Sequence, residues 1–474
     1  MYNNKKLIQL LLSTVLLSGG AINTNAASWR IEPAIVVSET YTDNVDLDAS
    51  SQQSDFVTQV SPQFLITGDG ARLNTSINYA ANYFYYPGDD NGKHDLRHNL
   101  QANLSSELIS ETLFIDGSAN INQQFLDRRQ AISATQVSRT QNRRTVQTYQ
   151  VSPYLVHRFG TWATAQLRYD FRHVRIAADT LQTSPDTFFG NSLSNIGSFT
   201  ISSGRYFSKL NWTLLAEYRT EERESFSDYD TTTARADFSY QLTRIFALLG
   251  SIGYQDREAT GSFANFKGLI WDAGFRLVPG PRTSISFRYG NQYNGDTFSL
   301  NAQYKITAKD AINLSYTDRI QTFQSFAFDN NDGVNINLPE GSDFISGDLT
   351  RRKDWRFSIS GTRGRTGYSA SAFYSNYISD RTVLDEKRYG GSISINRNLN
   401  NRLSISGGFS YNLSKFSSDS IEDKFWSAFA TANYQISKSL IGTLAYTHSN
   451  RDQSRFGNLN GGSNYISLSI RAAI

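Results

Sequence analysis

The sequence predicts an all-β protein, a transmembrane antiparallel β-barrel of the bacterial outer membrane with about 22 strands, in a range of roughly 18 to 22. Three observations predict this fold: an export signal at the N-terminus, repeated alternation of polar and apolar residues, and connections that are alternately short and long. Composition agrees, because 13% of the residues are aromatic whereas proline occurs only 8 times. After the signal, no segment shows the convincing 3.6-residue periodicity of an amphipathic helix.

The first 26 residues have the features of a secretory signal peptide. Lys5 and Lys6 precede an apolar run over residues 7–17, and a small, polar stretch ends at Ala26. The run is shorter than the ~20 residues of a membrane-spanning helix, which disfavours an N-terminal anchor. We therefore predict Sec-dependent export, cleavage after Ala26 and one barrel domain over residues 27–474. The sequence has no cysteine, so neither a lipid anchor nor a disulfide is expected.

Alternation with a period of two is clearest over residues 163–172. The odd-numbered residues there are apolar and the even-numbered ones are polar or charged, which predicts a strand with two unlike faces. Residues 210–219 and 298–306 repeat the pattern. The last segment, 464–474, reads as a closing strand, although Ile474 stands where such barrels usually end in an aromatic residue. A soluble sandwich shares this alternation, so the pattern alone does not indicate a membrane.

The lengths of the connections separate the two possibilities. Connections after even-numbered predicted strands are tight and rich in Gly, Pro, Asn, Asp and Ser, at residues 68–70, 159–161, 279–281, 308–310, 400–401 and 437–439. Connections after odd-numbered strands are often long and polar, at residues 127–142, 178–189, 329–353 and 451–462. Outer-membrane barrels have short periplasmic turns and long extracellular loops, whereas a sandwich has no reason to sort its loops. Both mature termini are therefore expected in the periplasm.

Alternation also assigns a face to the charged residues of the strands. A charge facing lipid costs up to ~2–4 kcal/mol at mid-depth, so such residues are expected to line the lumen. The predicted lumen-lining residues are Arg168, Asp170, Arg172, Glu217, Arg219, Arg235, Asp237, Asp272, Arg276, Arg288, Lys305, Arg356 and Arg471. They could form ion pairs that stiffen the interior, or a weakly cationic pore for acidic saccharides. The interleaving of acidic and basic residues favours ion pairs.

No catalytic, cofactor or metal motif emerges from the chain, and an enzyme is not predicted. Its five histidines are scattered, and only His94 and His98 share a strand face. The glycines at 361, 364 and 367 precede no predicted helix, so they indicate a turn rather than a phosphate loop. The formal charge of +3 includes the signal lysines, and it gives no support for nucleic-acid binding.

The predicted strand number implies a wide lumen. Barrels of 22 strands normally hold a plug, but the predicted mature chain begins almost directly with a strand, which argues against a TonB-dependent receptor with an N-terminal plug domain. An unplugged barrel of this width would leak. We therefore expect that long loops such as 127–142 and 329–353 fold inward, or that partner proteins occlude the pore.

Two stretches carry a resemblance to a known family, residues 28–47 (SWRIEPAIVVSETYTDNVDL) and 149–171 (YQVSPYLVHRFGTWATAQLRYDF). The residues that match best are Trp29, Pro33, Glu39, Thr40, Tyr41, Thr42, Asp43 and Asn44. The chain resembles the outer-membrane β-barrel proteins associated with the PEP-CTERM and exosortase systems of Gram-negative bacteria. This resemblance implies a role in an envelope system that produces exopolysaccharide and sorts surface proteins, and it supplies no catalytic residues.

Three functions follow as hypotheses. The first is a passive pore or assembly component for exopolysaccharide export, the second is a structural or adhesive barrel whose extracellular loops bind surface polymer, and the third is a general diffusion porin. The expected partners are outer-membrane lipid and lipopolysaccharide, the barrel-assembly machinery, and exopolysaccharide or export-system proteins.

Overall fold

The computed structural model describes residues 27–88, 94–125, 130–140, 142–177, 190–224, 228–259, 265–293, 295–322, 349–379, 385–416, 421–453 and 460–474. These residues form 22 strands, which confirms the predicted all-β fold. The strands are β1 (Ser28–Thr42), β2 (Asp55–Asp69), β3 (Leu73–Tyr85), β4 (His94–Ile109), β5 (Leu113–Phe125), β6 (Arg143–Phe159), β7 (Ala163–Ala177), β8 (Ser192–Ser203), β9 (Leu210–Arg223), β10 (Tyr229–Gln241), β11 (Phe246–Ala259), β12 (Phe266–Gly280), β13 (Thr283–Gln292), β14 (Gly295–Lys305), β15 (Asp310–Gln321), β16 (Thr350–Arg363), β17 (Thr366–Ser379), β18 (Glu386–Asn398), β19 (Leu403–Phe416), β20 (Ile421–Gln435), β21 (Leu440–Gln453) and β22 (Gly461–Ala473).

Every strand pairs antiparallel with its neighbours in sequence, and β1 also pairs with β22. That last ladder runs from Ala34 opposite Ala473 to Thr42 opposite Tyr465, so the sheet closes into a barrel. Closure leaves no unpaired sheet edge, as a strand structure in lipid requires. Among the described residues, no helix is long and apolar enough to cross a bilayer.

The two faces of the sheet differ as the alternation predicts. On β7, Leu167 and Tyr169 are 53% and 46% exposed on one face, while Asp170 on the other face is buried. On β22, Ile466, Leu468 and Ile470 are exposed in the same manner. Since a membrane barrel turns its apolar face to lipid, the exposed apolar side chains form the outer face and the polar ones the inner face.

An aromatic band crosses four strands of the outer face. Tyr316 on β15 lies opposite Trp355 on β16, which lies opposite Tyr374 on β17, which in turn lies opposite Tyr389 on β18. Phe298 stacks on Tyr316 with ring centroids 4.0 Å apart. Aromatic side chains at this position are typical of the boundary between lipid tails and headgroups.

The connections at the two ends of the barrel differ in length. Those after even-numbered strands have two to six residues and form the short-turn end, while those at the long-connection end extend as far as residues 322–349. The connection between β13 and β14 is an exception, because only residues 293–294 separate these strands. Three predicted boundaries of long loops are wrong: Lys353 lies in β16, Arg451 in β21 and Gly462 in β22, because these strands continue their ladders at this end.

The motif that carries the family resemblance lies at the barrel closure. Thr40 of β1 donates a hydrogen bond to Ser467 of β22 at 2.9 Å. Just beyond β1, the carboxylate of Asp43 accepts hydrogen bonds from the backbone and side-chain nitrogens of Asn464, at 2.8 and 2.5 Å. Asn44 accepts one from the Asp48 backbone at 3.0 Å. Thr40 and Asp43 therefore join the first strand to the last, and Asn44 stabilises the connection that follows β1.

The two faces of β22 make a prediction. We expect Leu468→Arg, on the lipid face, to reduce the free energy of unfolding by about 2–4 kcal/mol, because a cation at mid-depth loses its hydration. Ser469→Arg is the matched control on the inner face, where water can solvate the charge. Unfolding by guanidinium in lipid vesicles measures both variants. Equal losses would contradict the assignment of the faces.

Candidate functional site

Ion pairs line the inner face of β5 to β13. The Arg168 guanidinium lies 2.9 Å from Asp170 on the same strand and 3.1 Å from Asp116, two strands away on β5. Ser152 of β6, between them, also donates a hydrogen bond to Asp170. Three strands are thus joined by one network, in which the sequence predicted Arg168 and Asp170 but not Asp116.

Further predicted residues pair in the same way. Arg235 lies 2.5 Å from Asp237 on β10, and Arg219 lies 3.8 Å from Glu217 on β9. Arg288 of β13 reaches Asp272 of β12 at 2.6 Å. Arginine and carboxylate alternate around this sector, so the charges of these residues are compensated locally.

The remaining predicted residues have other surroundings. Arg172 lies two residues beyond Asp170 on the same face and interacts electrostatically with it. Four more residues are exposed on the inner face and make no ion pair within the described ranges: Arg276, Lys305, Arg356 and Arg471. These four add uncompensated positive charge to the lumen.

This charge pattern makes a prediction about ion selectivity. Asp272→Asn leaves Arg288 unpaired on the inner face, so we expect the reversal potential in a salt gradient to shift toward anion selectivity, because an uncompensated cation attracts anions. Asp256→Asn is the matched control, since Asp256 pairs with Lys267 on the outer face at 2.6 Å. A shift of equal size in the control would contradict the prediction.

The connection between β5 and β6 enters the barrel at the long-connection end. We call its described residues 130–140 the inner loop. Arg143 of β6 donates hydrogen bonds to the carbonyl oxygens of Thr135, Gln136 and Ser138 at 3.1–3.2 Å. Arg97 of β4 donates to the Gln136 carbonyl. Charged donors on the wall therefore hold the loop by its backbone.

The inner loop also contacts the β1–β2 connection and the last two strands, β21 and β22. Arg139 forms two hydrogen bonds with Asp46 of the β1–β2 connection, at 2.8 and 2.7 Å, and its backbone nitrogen donates to the Val45 carbonyl at 2.8 Å. Arg451 of β21 donates to the Gln130 carbonyl. The hydroxyls of Ser138 and Tyr465 are 2.8 Å apart.

A small apolar cluster also holds the inner loop in place. Val137 packs into a buried cluster that strands β2, β3 and β22 and their connections provide, comprising Val45, Val57, Phe84, Tyr86 and Tyr465. Burial raises the pKa of the Tyr86 hydroxyl above its usual range, so this group stays neutral. The loop is thus fixed by backbone hydrogen bonds, one ion pair and apolar packing together.

Of the predicted inward-folding loop 127–142, residues 130–140 lie against the inner wall, and residues 127–129 and 141 lie outside the described residues. For the second expected loop, 329–353, residues 329–348 lie outside the described residues. The described ends of that connection point inward: Thr322 donates a hydrogen bond to Glu221 of β9 at 2.8 Å, and Leu349 packs on Tyr229 of β10. From the sequence, Arg97, Arg143 and Glu221 were not predicted as contacts of these connections, because alternation cannot predict which residues of distant segments they contact.

The inner face from β16 to β22 has a different character. A row of serines in register crosses all seven strands: Ser358, Ser371, Ser392, Ser410, Ser427, Ser449 and Ser463. Asn313 on β15 and Gln303 on β14 continue the row. At this level the wall is neutral and hydroxylated, in contrast to the ion-paired wall of β5 to β13.

Within the described part of the chain, no group of three or more His, Cys, Asp and Glu residues is placed to bind a metal ion. His94 and His98 lie on the outer face and stack on Tyr83 and Tyr79, with ring centroids 5.9 and 6.0 Å apart. Of the three glycines, Gly364 forms the β16–β17 turn with a φ of 59°, and the other two lie in the flanking strands.

Comparison with known proteins identifies the fold. No family model and no curated protein sequence matches the chain. Among solved structures, the chain is similar to the FrpB iron transporter of Neisseria meningitidis (F5-1 variant), with a TM-score of 0.53 and 12% identity over 94% of this chain and 82% of that one. It is also similar to P. aeruginosa FpvA bound to pyoverdine, with a TM-score of 0.50 and 11% identity over 94% and 72%.

The chain therefore has the fold of outer-membrane β-barrel proteins, with a closed antiparallel sheet, an apolar outer face and a polar inner face. Its barrel resembles those of the FrpB iron transporter and of pyoverdine-bound FpvA. At 11–12% identity this likeness concerns the fold.

Proposed function

We propose that the barrel is a passive conduit for exopolysaccharide across the outer membrane, and that the inner loop regulates its opening. The observation that carries this proposal is a closed barrel with a largely polar inner face, inside which the wall holds the inner loop by its backbone carbonyls. The resemblance of residues 28–47 to barrels of the PEP-CTERM and exosortase systems supports exopolysaccharide as the transported polymer.

The proposal includes an orientation. The long-connection end, with the inner loop, faces outward, and the short turns and both mature termini face the periplasm after Sec-dependent removal of residues 1–26. The thirteen charged residues predicted from the sequence line the conduit. The barrel-assembly machinery would insert the chain, and lipid and lipopolysaccharide would surround it. The outer face supports this contact, because Lys387 lies beyond the aromatic band, opposite the ion-paired Lys415, and offers a cation to phosphate.

Two measurements test the function. Purified barrel in a planar bilayer is expected to give small unitary currents with brief larger openings, because the inner loop obstructs a wide lumen. Deletion of the gene is expected to reduce surface polysaccharide, with rescue by the intact gene as the control. A deletion strain that secretes normal polysaccharide would contradict the export role.

The other hypotheses are distinguished by the same experiments. A structural or adhesive barrel would conduct no current in any variant, and its loss would reduce retention of polymer at the surface rather than its release. A general diffusion porin would give large, stable currents without removal of the inner loop.

A further inference from the structure

Three rows of inner-face side chains cross β17 to β20 in register. The upper row, nearest the long-connection end, is Phe373, Gly390, Asn412 and Phe425. The middle row is Ser371, Ser392, Ser410 and Ser427. The lower row is Ser369, Ser394, Gly408 and Phe429. Adjacent rows are two residues apart, or about 7 Å. We call these twelve residues the neutral patch, because none of them is charged.

Asn412 is the most informative member of the neutral patch. Its side chain is only 7% exposed, and neither its amide oxygen nor its amide nitrogen has a hydrogen-bond partner among the described residues. The oxygen lies over the neighbouring strand, 2.7 Å from the position that a Cβ on Gly390 would take. A buried amide is normally satisfied by protein, water or a bound molecule, so an unpartnered one marks a place where a polar ligand fits.

Two phenylalanine rings lie over glycines in the same patch. A Cβ on Gly390 would come within 2.5 and 2.6 Å of two ring carbons of Phe373, and a Cβ on Gly408 within 2.5 and 2.9 Å of Phe429. Each ring therefore occupies space that only glycine leaves free on the neighbouring strand. Both rings are half-buried, so part of each remains open to the lumen.

Hydroxyl groups separate the two rings. Ser371 and Ser392 are 2.8 Å apart at their hydroxyl oxygens, and Ser410 and Ser427 are 2.9 Å apart. Each hydroxyl retains further hydrogen-bonding capacity beyond that one contact. Beside the lower row there is a cavity of about 540 Å³, whose lining includes Ser369, Ser394 and Phe429.

We propose that the neutral patch is a binding site for an uncharged saccharide. A sugar ring presents an apolar C–H face, which suits the phenylalanine rings, and hydroxyls at its edge, which suit the Asn412 amide and the serines. Two row spacings span about 14 Å, enough for two to three sugar units. Three arginines flank the upper row of the patch. Arg388 and Arg451 are paired with Glu386 and Asp423, at 3.7 and 2.7 Å, whereas Arg356, the cross-strand partner of Phe373, makes no ion pair within the described residues. A carboxylated sugar therefore meets an uncompensated cation only at the β16 edge of the patch. This inference rests on the proposed conduit function and specifies its substrate class.

The test is equilibrium binding to the full barrel in lipid nanodiscs. The probes are neutral glucan hexamers with α-1,4, α-1,6 and β-1,4 linkages, and oligogalacturonate of equal length. We expect a neutral hexamer to bind more tightly than oligogalacturonate, and Asn412→Ala and Phe373→Ala each to raise its Kd about fivefold or more, since each removes one direct contact. Asn103→Ala and Phe114→Ala are matched controls on the inner faces of β4 and β5, and they should leave the Kd unchanged.

A further variant distinguishes weaker binding from misfolding. Gly390→Ala removes no polar group but places a methyl where Phe373 and Asn412 meet, so it should weaken binding as strongly while the thermal unfolding midpoint stays within a few degrees. The inference is overturned if no neutral hexamer binds, if oligogalacturonate binds equally well, or if the patch variants match the controls. Binding does not require conduction. A barrel that binds sugar but passes no current refutes the conduit, and one that conducts without binding refutes the site.

Discussion

Deleting residues 130–140 is expected to raise the single-channel conductance roughly threefold or more, because a 22-stranded barrel is wide enough for an aqueous channel once nothing fills it. The hairpin can still close, since Phe125 and Arg143 are cross-strand partners and residues 126–129 and 141–142 remain between them. Planar-bilayer recording of the wild type and the variant under the same salt conditions measures the effect.

A second variant distinguishes the effect of the volume of the inner loop from the effect of its contacts with the wall. Exchanging residues 130–140 for a Gly-Ser segment of equal length keeps the chain but removes Val137 and the Arg139–Asp46 ion pair. We expect long-lived large openings in this variant as well, because the segment is no longer held against the wall. Conductance that remains at the wild-type level in both variants would show that the inner loop does not control the pore.

Arg451→Met is expected to reduce the free energy of unfolding by about 3–5 kcal/mol, because it leaves the Asp423 carboxylate buried without its cation. Arg451 and Asp423 are linked by two hydrogen bonds of 2.9 and 2.7 Å, and their side chains are 5% and 6% exposed. Denaturant unfolding in detergent or vesicles measures the loss.

The chain offers a matched control for this pair. Lys415 and Glu422 are 2.6 Å apart on the outer face and more than 40% exposed, so Lys415→Met should leave the free energy of unfolding almost unchanged. The double variant Arg451→Met with Asp423→Leu should recover much of the loss, because no unpaired charge remains. Equal losses from Arg451→Met and Lys415→Met would contradict the importance of burial.

The strands and their two faces could be predicted, because the alternation of polar and apolar residues within each strand indicates them. On β7, residues 163–171 reveal by alternation which face meets lipid, and the short connections mark where strands reverse. Loop boundaries near Lys353 and Arg451 could not be predicted, because polar strand ends beyond the lipid lose the apolar alternation that identifies a strand.

The contents of the lumen were less predictable, because they depend on register and on contacts across the barrel. Arg168 and Asp170 are two residues apart and were recognised together. Asp116, which completes their network, lies two strands away and becomes a neighbour only through the pairing of β5, β6 and β7. The environment of Asn412 likewise arises from Gly390 on the adjacent strand, a relation that no local pattern encodes.

The central claim is that the inner loop closes the conduit when seated and opens it when released. The chain has no cysteine, so a disulfide can be introduced alone. Val45 and Arg139 are joined by a backbone hydrogen bond of 2.8 Å, which suits Val45→Cys with Arg139→Cys. Single-channel recording before and after reduction tests the claim directly. We predict small currents without large openings in the oxidised channel and large openings on reduction, whereas large currents through the oxidised channel would contradict the account.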